Sequence, residues 1–274
     1  MRSILTRSFV GAALALLSTC ELGPHPTRPV PQSAPFQPPP LGRMEPVTGS
    51  APAPYQSVCR SKVLRVTLWV HGTQWVSSGA LLDDNLLLTA GHNYATLKSI
   101  ARERSVECGM GVVPEQPWFS VYDDNYDRHR HMRHPAEYPG AGWAADYALL
   151  WFGTPASRPS SFRLPEPGQD VLLGTDSIVT VAGYPSEGAN TGSLMFHGRG
   201  KVIPSDDEDV FYYSVNTEKG MSGSPVWVER NGEFILVGVH VGGDLQRNLG
   251  IAHRLNSRSL QNIARWSAGF PRAP

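Results

Sequence analysis

From residue 59 onward the chain alternates short apolar runs with turn-forming residues. Runs at 63–70 (VLRVTLWV), 80–82, 86–88, 148–152, 178–181, 211–215, 225–228 and 234–239 are rich in Val, Ile, Leu and aromatic residues. They are separated by Gly, Asn, Asp and Pro. Runs this short, bounded by turn chemistry, predict many strands in an all-β sandwich or barrel rather than helices. Asn231-Gly232 between two of them is a strong hairpin dipeptide. One helix is predicted, at the C-terminal end. Asn256 or Ser257 caps it, and Leu260, Ile263, Ala264 and Ser267 share a face. No repeat recurs at a fixed period.

The first 58 residues follow different rules. Arg2 and Arg7 precede an apolar stretch at 9–17 (FVGAALALL) and the small residues Ser18, Thr19 and Cys20. A charged start, a short apolar stretch and a cleavage zone make residues 1–20 a secretory signal peptide. Leu17-Ser18-Thr19-Cys20 resembles the lipobox of bacterial lipoproteins, which would lipidate Cys20 and anchor the chain at a membrane surface; ordinary cleavage nearby is the alternative. Residues 21–54 hold 11 prolines in 34 residues. Such a segment lacks ladder donors and core-forming area, so 21–58 is predicted to be a disordered linker, stalk or pro-segment, with the globular domain at 59–274. With Cys20 set aside, Cys59 and Cys108 are an even pair in an exported chain, which favours a disulfide over two free buried thiols.

Charge changes the picture only by exclusion. The 24 Lys and Arg balance 24 Asp and Glu, so the basic excess of a nucleic-acid binder is missing. No stretch after residue 20 approaches a span of 18 apolar residues. A soluble monomer is expected.

Three local patterns carry candidate chemistry. Leu88-Thr89-Ala90-Gly91-His92 is an apolar strand ending in a small-residue turn that presents an imidazole. Ala145-Asp146-Tyr147-Ala148 sets a carboxylate at the lip of an apolar strand, where it would be desolvated without a partner. Gly220-Met221-Ser222-Gly223-Ser224-Pro225 is a glycine-rich turn that presents a hydroxyl. A hydroxyl is a poor nucleophile near neutral pH; it needs a base, and the base needs an orienting acid. The order His, Asp, Ser is that of double-barrel serine proteases.

With these motifs in place, the sequence resembles the trypsin-like serine protease superfamily, most closely its bacterial glutamyl-endopeptidase (V8-like) branch. The resemblance runs from about residue 62 to 266. It includes Gly79-Ala80-Leu81-Leu82, His134-Pro135-Ala136-Glu137-Tyr138, Ala182-Gly183-Tyr184-Pro185 and Gly238-Val239-His240-Val241-Gly242-Gly243. It implies two six-stranded antiparallel β-barrels with a C-terminal helix and protein or peptide substrates. It also implies a triad of His92, Asp146 and Ser222, with an oxyanion hole from the N–H groups of Gly220 and Ser222. Asp146 is preferred to Asp123, Asp124 and Asp127, which lie in a polar run. The family pattern places the nucleophile at Ser222 rather than Ser224.

For the P1 pocket, the resemblance puts Asn216 where trypsin carries an acid, and Thr217 and His240 where the glutamyl enzymes bind a carboxylate. Lys219 would add positive potential at the rim, or be an ordinary solvated lysine. Cleavage after Glu, then Asp, is the expected preference, with small or apolar P1 specificity as an alternative. A non-catalytic binding module on the same fold is the alternative of another class. No cofactor is implied. His129, His131 and His134 have metal-like spacing, but the interleaved Arg130 and Arg133 would repel a cation, so no metal is expected.

Overall fold

The computed structural model describes residues 41–47, 62–70, 73–83, 85–93, 104–109, 119–122, 132–151, 162–166, 168, 171–187, 192 and 194–271. The apolar runs of the sequence lie in strands, and the strands form two antiparallel sheets. In the first sheet the order is β6 (Phe119–Tyr122), β5 (Arg104–Gly109), β2 (Val63–Val70), β3 (Thr73–Asp83), β4 (Leu86–Thr89), β8 (Ala148–Trp151) and β7 (Met132–Arg133). Among the described residues this sheet holds seven strands, and no pairing joins β6 to β7.

The second sheet closes on itself. Its order is β10 (Phe196–Pro204), β11 (Val210–Tyr213), β14 (Leu249–Arg254), β13 (Glu233–Asp244), β12 (Pro225–Arg230) and β9 (Ile178–Gly183), and β9 returns to β10. Closure leaves six strands with no free edge within the ring. Period-two alternation divides their side chains. Val179, Val181, Phe211, Tyr213, Val226, Val228, Val237 and Ala252 fill the barrel interior. Their neighbours Trp227, Leu236 and Ile251 face outward into a second core, shared with Leu88, Tyr147 and Leu149 of the first sheet and with the C-terminal helix. Both faces of these strands are therefore buried, which explains why the sequence shows apolar runs instead of clean alternation.

The Asn231-Gly232 turn joins β12 to β13, with both residues at positive φ (53° and 78°), as a two-residue hairpin demands. Helix α1 (Ser257–Ala268) starts at Asn256, whose side chain accepts from the Ser259 N–H at 3.1 Å. Its buried face is Ser259, Leu260, Ile263 and Trp266. Ala264, expected on that face, is exposed. The indole of Trp266 is the larger apolar group, and it packs against the Tyr147 ring at 5.6 Å, so it sets the rotation of the helix.

The linker boundary also needs correction. Within the segment expected to be disordered, β1 (Met44–Pro46) pairs with residues 196–198 of β10 at the rim of the closed barrel, and Leu41 bridges to Arg199. Gly198 makes the room, because a Cβ there would lie 2.6 Å from the Met44 sulfur. Residues 1–40 and 48–61 lie outside the described residues, and with them the signal peptide, Cys20 and Cys59.

Candidate active site

Strand β4 pairs with β8 in register Thr89↔Ala148, so the two chain segments just beyond them, residues 90–93 and 146–147, lie side by side. His92 sits in the helical turn 91–93 that follows β4. Asp146 ends a short 3-10 turn, Gly142–Ala145, immediately before β8. Its carboxylate is buried and takes two bonds from one residue: Oδ1 accepts the His92 backbone N–H at 2.7 Å, and Oδ2 lies 2.6 Å from His92 Nδ1. This fixes the imidazole with Nδ1–H toward the acid and leaves Nε2 directed away from it. Nearby, the Tyr138 phenol is pushed up to about 12 by burial and then by the Asp146 charge.

Ser222 belongs to the turn between β11 and β12, and that turn is clamped onto the first sheet. Met221 is fully buried in the interior of the closed barrel, whereas Ser222 is half-buried. The Ser222 carbonyl accepts from the Ser78 N–H at 2.9 Å and from Asn93 Nδ2 at 2.9 Å. The Ser78 hydroxyl donates to the Gly220 carbonyl (2.9 Å) and accepts from the Tyr184 N–H (2.9 Å). Thr89 Oγ1 donates to the Ser78 carbonyl at 2.7 Å and accepts from Asn93 Nδ2 at 3.0 Å. Thus His92 and Asp146 touch directly, and Ser222 is tied to the same turn through Asn93, the residue after His92.

Gly220 and Gly223 have φ of +91° and +87°. A Cβ at 223 would lie 2.1 Å from both the Ser78 carbonyl oxygen and Thr89 Oγ1, so only glycine lets the turn approach the first sheet. The backbone N–H groups of Gly220 and Ser222 have no acceptor among the described residues. They are donors available to an incoming oxygen. Ser224 is wholly buried beside Gly183 and its carbonyl accepts from the His240 N–H, so of the two serines only Ser222 is reachable.

The expected P1 residues divide. Thr217 and His240 are both buried. A Cβ at Gly243 would be 3.2 Å from Thr217 Oγ1, so the end of β13 leaves space beside that hydroxyl. A β-bulge between His240 and Gly242 redirects β13 at this point. Burial, helped by the charge of His92 and opposed by a backbone bond to Ile251, lowers the His240 pKa to about 3. Its Nδ1 lies 2.7 Å from the Tyr213 hydroxyl. Asn216, by contrast, is exposed and forms no buried pocket floor. Thr217 is the inward-facing residue of that pair. Lys219 is 81% exposed and pairs with Glu187 at 2.9 Å, so its charge is neutralised at the surface rather than directed into a pocket.

Sequence reasoning missed Ser78, Asn93, Met221 and Tyr213. Ser78, Asn93 and Tyr213 act through Gly220, Ser222 and His240, which lie far along the chain, and the one local hint is Ser77-Ser78, polar residues interrupting an apolar strand. The Cys59–Cys108 pairing is not described, since Cys59 lies outside the described residues and the Cys108 side chain on β5 is likewise undescribed. His129 and His131 also lie outside them, whereas His134 Nδ1 bonds to the Pro135 carbonyl at 2.7 Å. Among the described residues, no group of three His, Cys, Asp or Glu side chains is placed to hold a metal ion.

Residues 77–239 match the family model of the trypsin-like peptidase domain. Among solved structures, a Glu endopeptidase in complex with MPD is similar, with a TM-score of 0.60 and 20% identity, covering 83% of this chain and 97% of that one. A thermostable serine protease, AL20, from an extremophilic microorganism gives 0.57 at 15% identity, covering 76% and 98%. An inactivated protease paralogue of the scabies mite gives 0.57 at 19% identity, covering 75% and 95%. A comparison with curated proteins finds no match.

Proposed function

From the premise that this chain belongs to the trypsin-like peptidase domain family, we propose that it is an exported serine endopeptidase with a preference for Glu, then Asp, at P1. The observation that carries the catalytic reading is the Asp146 carboxylate engaging His92 twice, with the Ser222 carbonyl held by the adjacent Asn93.

Ser222 Oγ attacks the scissile carbonyl carbon as His92 Nε2 takes its proton. Asp146 holds the imidazole by Nδ1–H and stabilises the imidazolium. The negative oxygen that forms is received by the N–H groups of Gly220 and Ser222; one such donor is worth about 10²–10³ in turnover in comparable sites. Collapse breaks the C–N bond, and His92 returns the proton to the leaving amine. Water, activated by the same histidine, then hydrolyses the acyl-enzyme. The P1 preference is supported by the Thr217 hydroxyl and the His240 imidazole, two buried donors suited to a carboxylate, and by the fold's likeness to a Glu endopeptidase. Export and anchoring through Cys20 rest on residues 1–20 alone.

A fluorophosphonate probe should label Ser222, and Ser222→Ala should abolish labelling and cut kcat by roughly 10⁴–10⁶. A folded, processed protein that the probe leaves untouched would refute the catalytic reading. Peptides varied only at P1 report the preference. N-terminal sequencing and intact mass of the natural product report processing, with acyl chains on Cys20 expected for an anchored form.

A further inference from the structure

The P1 assignment leaves the buried Tyr213 hydroxyl without a role. Tyr213, on β11, points into the closed barrel and is wholly buried. Its oxygen lies 2.7 Å from His240 Nδ1, and the two rings meet edge to face, 6.0 Å apart at 72°. The facing strand accommodates it by lacking a side chain, since a Cβ at Gly250 would lie 2.3 Å from Tyr213 Cζ and 2.7 Å from its hydroxyl.

The direction of this bond follows from counting protons. A phenol carries one O–H, and His240 Nδ1 is its hydrogen-bond partner among the described residues. If the oxygen accepted from an Nδ1–H, its own proton would be left in the barrel interior without an acceptor, which is costly. Donation from the phenol to a bare Nδ1 satisfies both groups and puts the imidazole proton on Nε2. The backbone of Ile251 raises the pKa of the ring, as an acceptor facing a ring N–H does. With Nδ1 taken as an acceptor, that N–H is on Nε2.

We propose that Tyr213 is a positioning residue for P1 recognition: its hydroxyl holds His240 as the neutral Nε2–H tautomer, so that this N–H and the Thr217 hydroxyl meet the carboxylate of a P1 glutamate. The inference rests on the Glu-directed reading above. A carboxylate is a stronger acceptor than a backbone group and draws the N–H toward itself. The phenol also opposes an imidazolium, because an Nδ1–H would turn the O–H away from its acceptor. Burial acts in the same direction, holding the His240 pKa near 3, while the Tyr213 phenol is raised well above its ordinary value.

The test compares wild type, Tyr213→Phe and His240→Gln on paired peptides with Glu or Leu at P1, together with ¹⁵N spectra of the imidazoles. Tyr213→Phe keeps the ring that packs the barrel and removes the donor. It should raise KM for the Glu peptide by about tenfold to a hundredfold. Its kcat for that peptide, and the rate at which the fluorophosphonate labels Ser222, should change by less than about twofold. In wild type, the imidazole signal that disappears in His240→Gln should show a bare Nδ1 and a protonated Nε2.

A protonated Nδ1 in wild type overturns the proposal, and should Tyr213→Phe fail to fold, that spectrum decides alone. An unchanged KM in Tyr213→Phe, while His240→Gln abolishes the Glu preference, removes the role of Tyr213 and leaves the Glu-directed reading standing. Equal loss on Glu and Leu peptides in Tyr213→Phe marks a packing effect and also overturns it. If wild type and His240→Gln both cleave the two peptides alike, the Glu-directed reading fails and the inference falls with it.

Discussion

Ser78 joins the two halves of the site with one hydroxyl and one peptide group. Its Oγ satisfies the Gly220 carbonyl and the Tyr184 N–H, and its N–H holds the Ser222 carbonyl. Ser78→Ala removes Oγ and leaves two buried backbone groups without that partner, so a loss of about 1–3 kcal/mol is expected in urea unfolding. Because Gly220 would supply one of the oxyanion donors, kcat should fall further than KM rises. Stability and kcat both unchanged would show that the clamp is idle. His92, Asp146 and Ser222 stand out in the sequence as candidates because each lies in a local motif of small residues beside an apolar strand. Ser78 does not, since its partner Gly220 is 142 positions away. Nor does Tyr213, whose value depends on a neighbour from another strand. Asn216, expected beside Thr217 at the pocket, is exposed, since sequence spacing gives the position of a residue but not its burial.

At the scale of elements, strands with strong β-formers were visible and strands held by their surroundings were not. β10 reads FHGRGKVIP, with two glycines that weaken an isolated strand. In the barrel those glycines are where neighbours press closest: a Cβ at Gly200 would lie 2.7 Å from the Ser214 carbonyl oxygen. β1 is hidden by Pro46, which an edge position tolerates. The C-terminal helix was visible because cap and apolar period agree. Asn256 does more than cap, for its Nδ2 also donates to Asp209 Oδ1 at 2.6 Å. Asn256→Ala should therefore cost about 1–2 kcal/mol, read as a lower thermal unfolding midpoint, with little change in kcat. A midpoint equal to wild type would show that neither bond holds the helix in place.

Across the whole molecule, packing makes the fold sensitive to acid. His240 lies in the closed barrel, and His253 stacks on Tyr147 at 4.3 Å in the core between the sheets. Burial lowers both pKa values from 6.5 to about 3. Below 6.5 the unfolded chain takes up protons that the folded chain refuses. Their contribution is thus fully present above about pH 7 and is lost toward pH 3, at about 1.4 kcal/mol per pH unit for each histidine. The unfolding midpoint should be level above about pH 7 and fall below about pH 6, and His253→Gln should flatten the fall; a level midpoint down to about pH 4.5 would count against neutral burial. The sequence by itself determined the all-β class, the C-terminal helix and the candidate His, Asp and Ser, because strand period, capping and glycine turns are encoded over a few neighbouring residues. Only the tertiary structure decided that Ser224 is sealed while Ser222 is reachable, that Thr217 rather than Asn216 faces inward, and that Tyr213 meets His240, because burial and hydrogen-bond partnership are set by strands far apart in the chain.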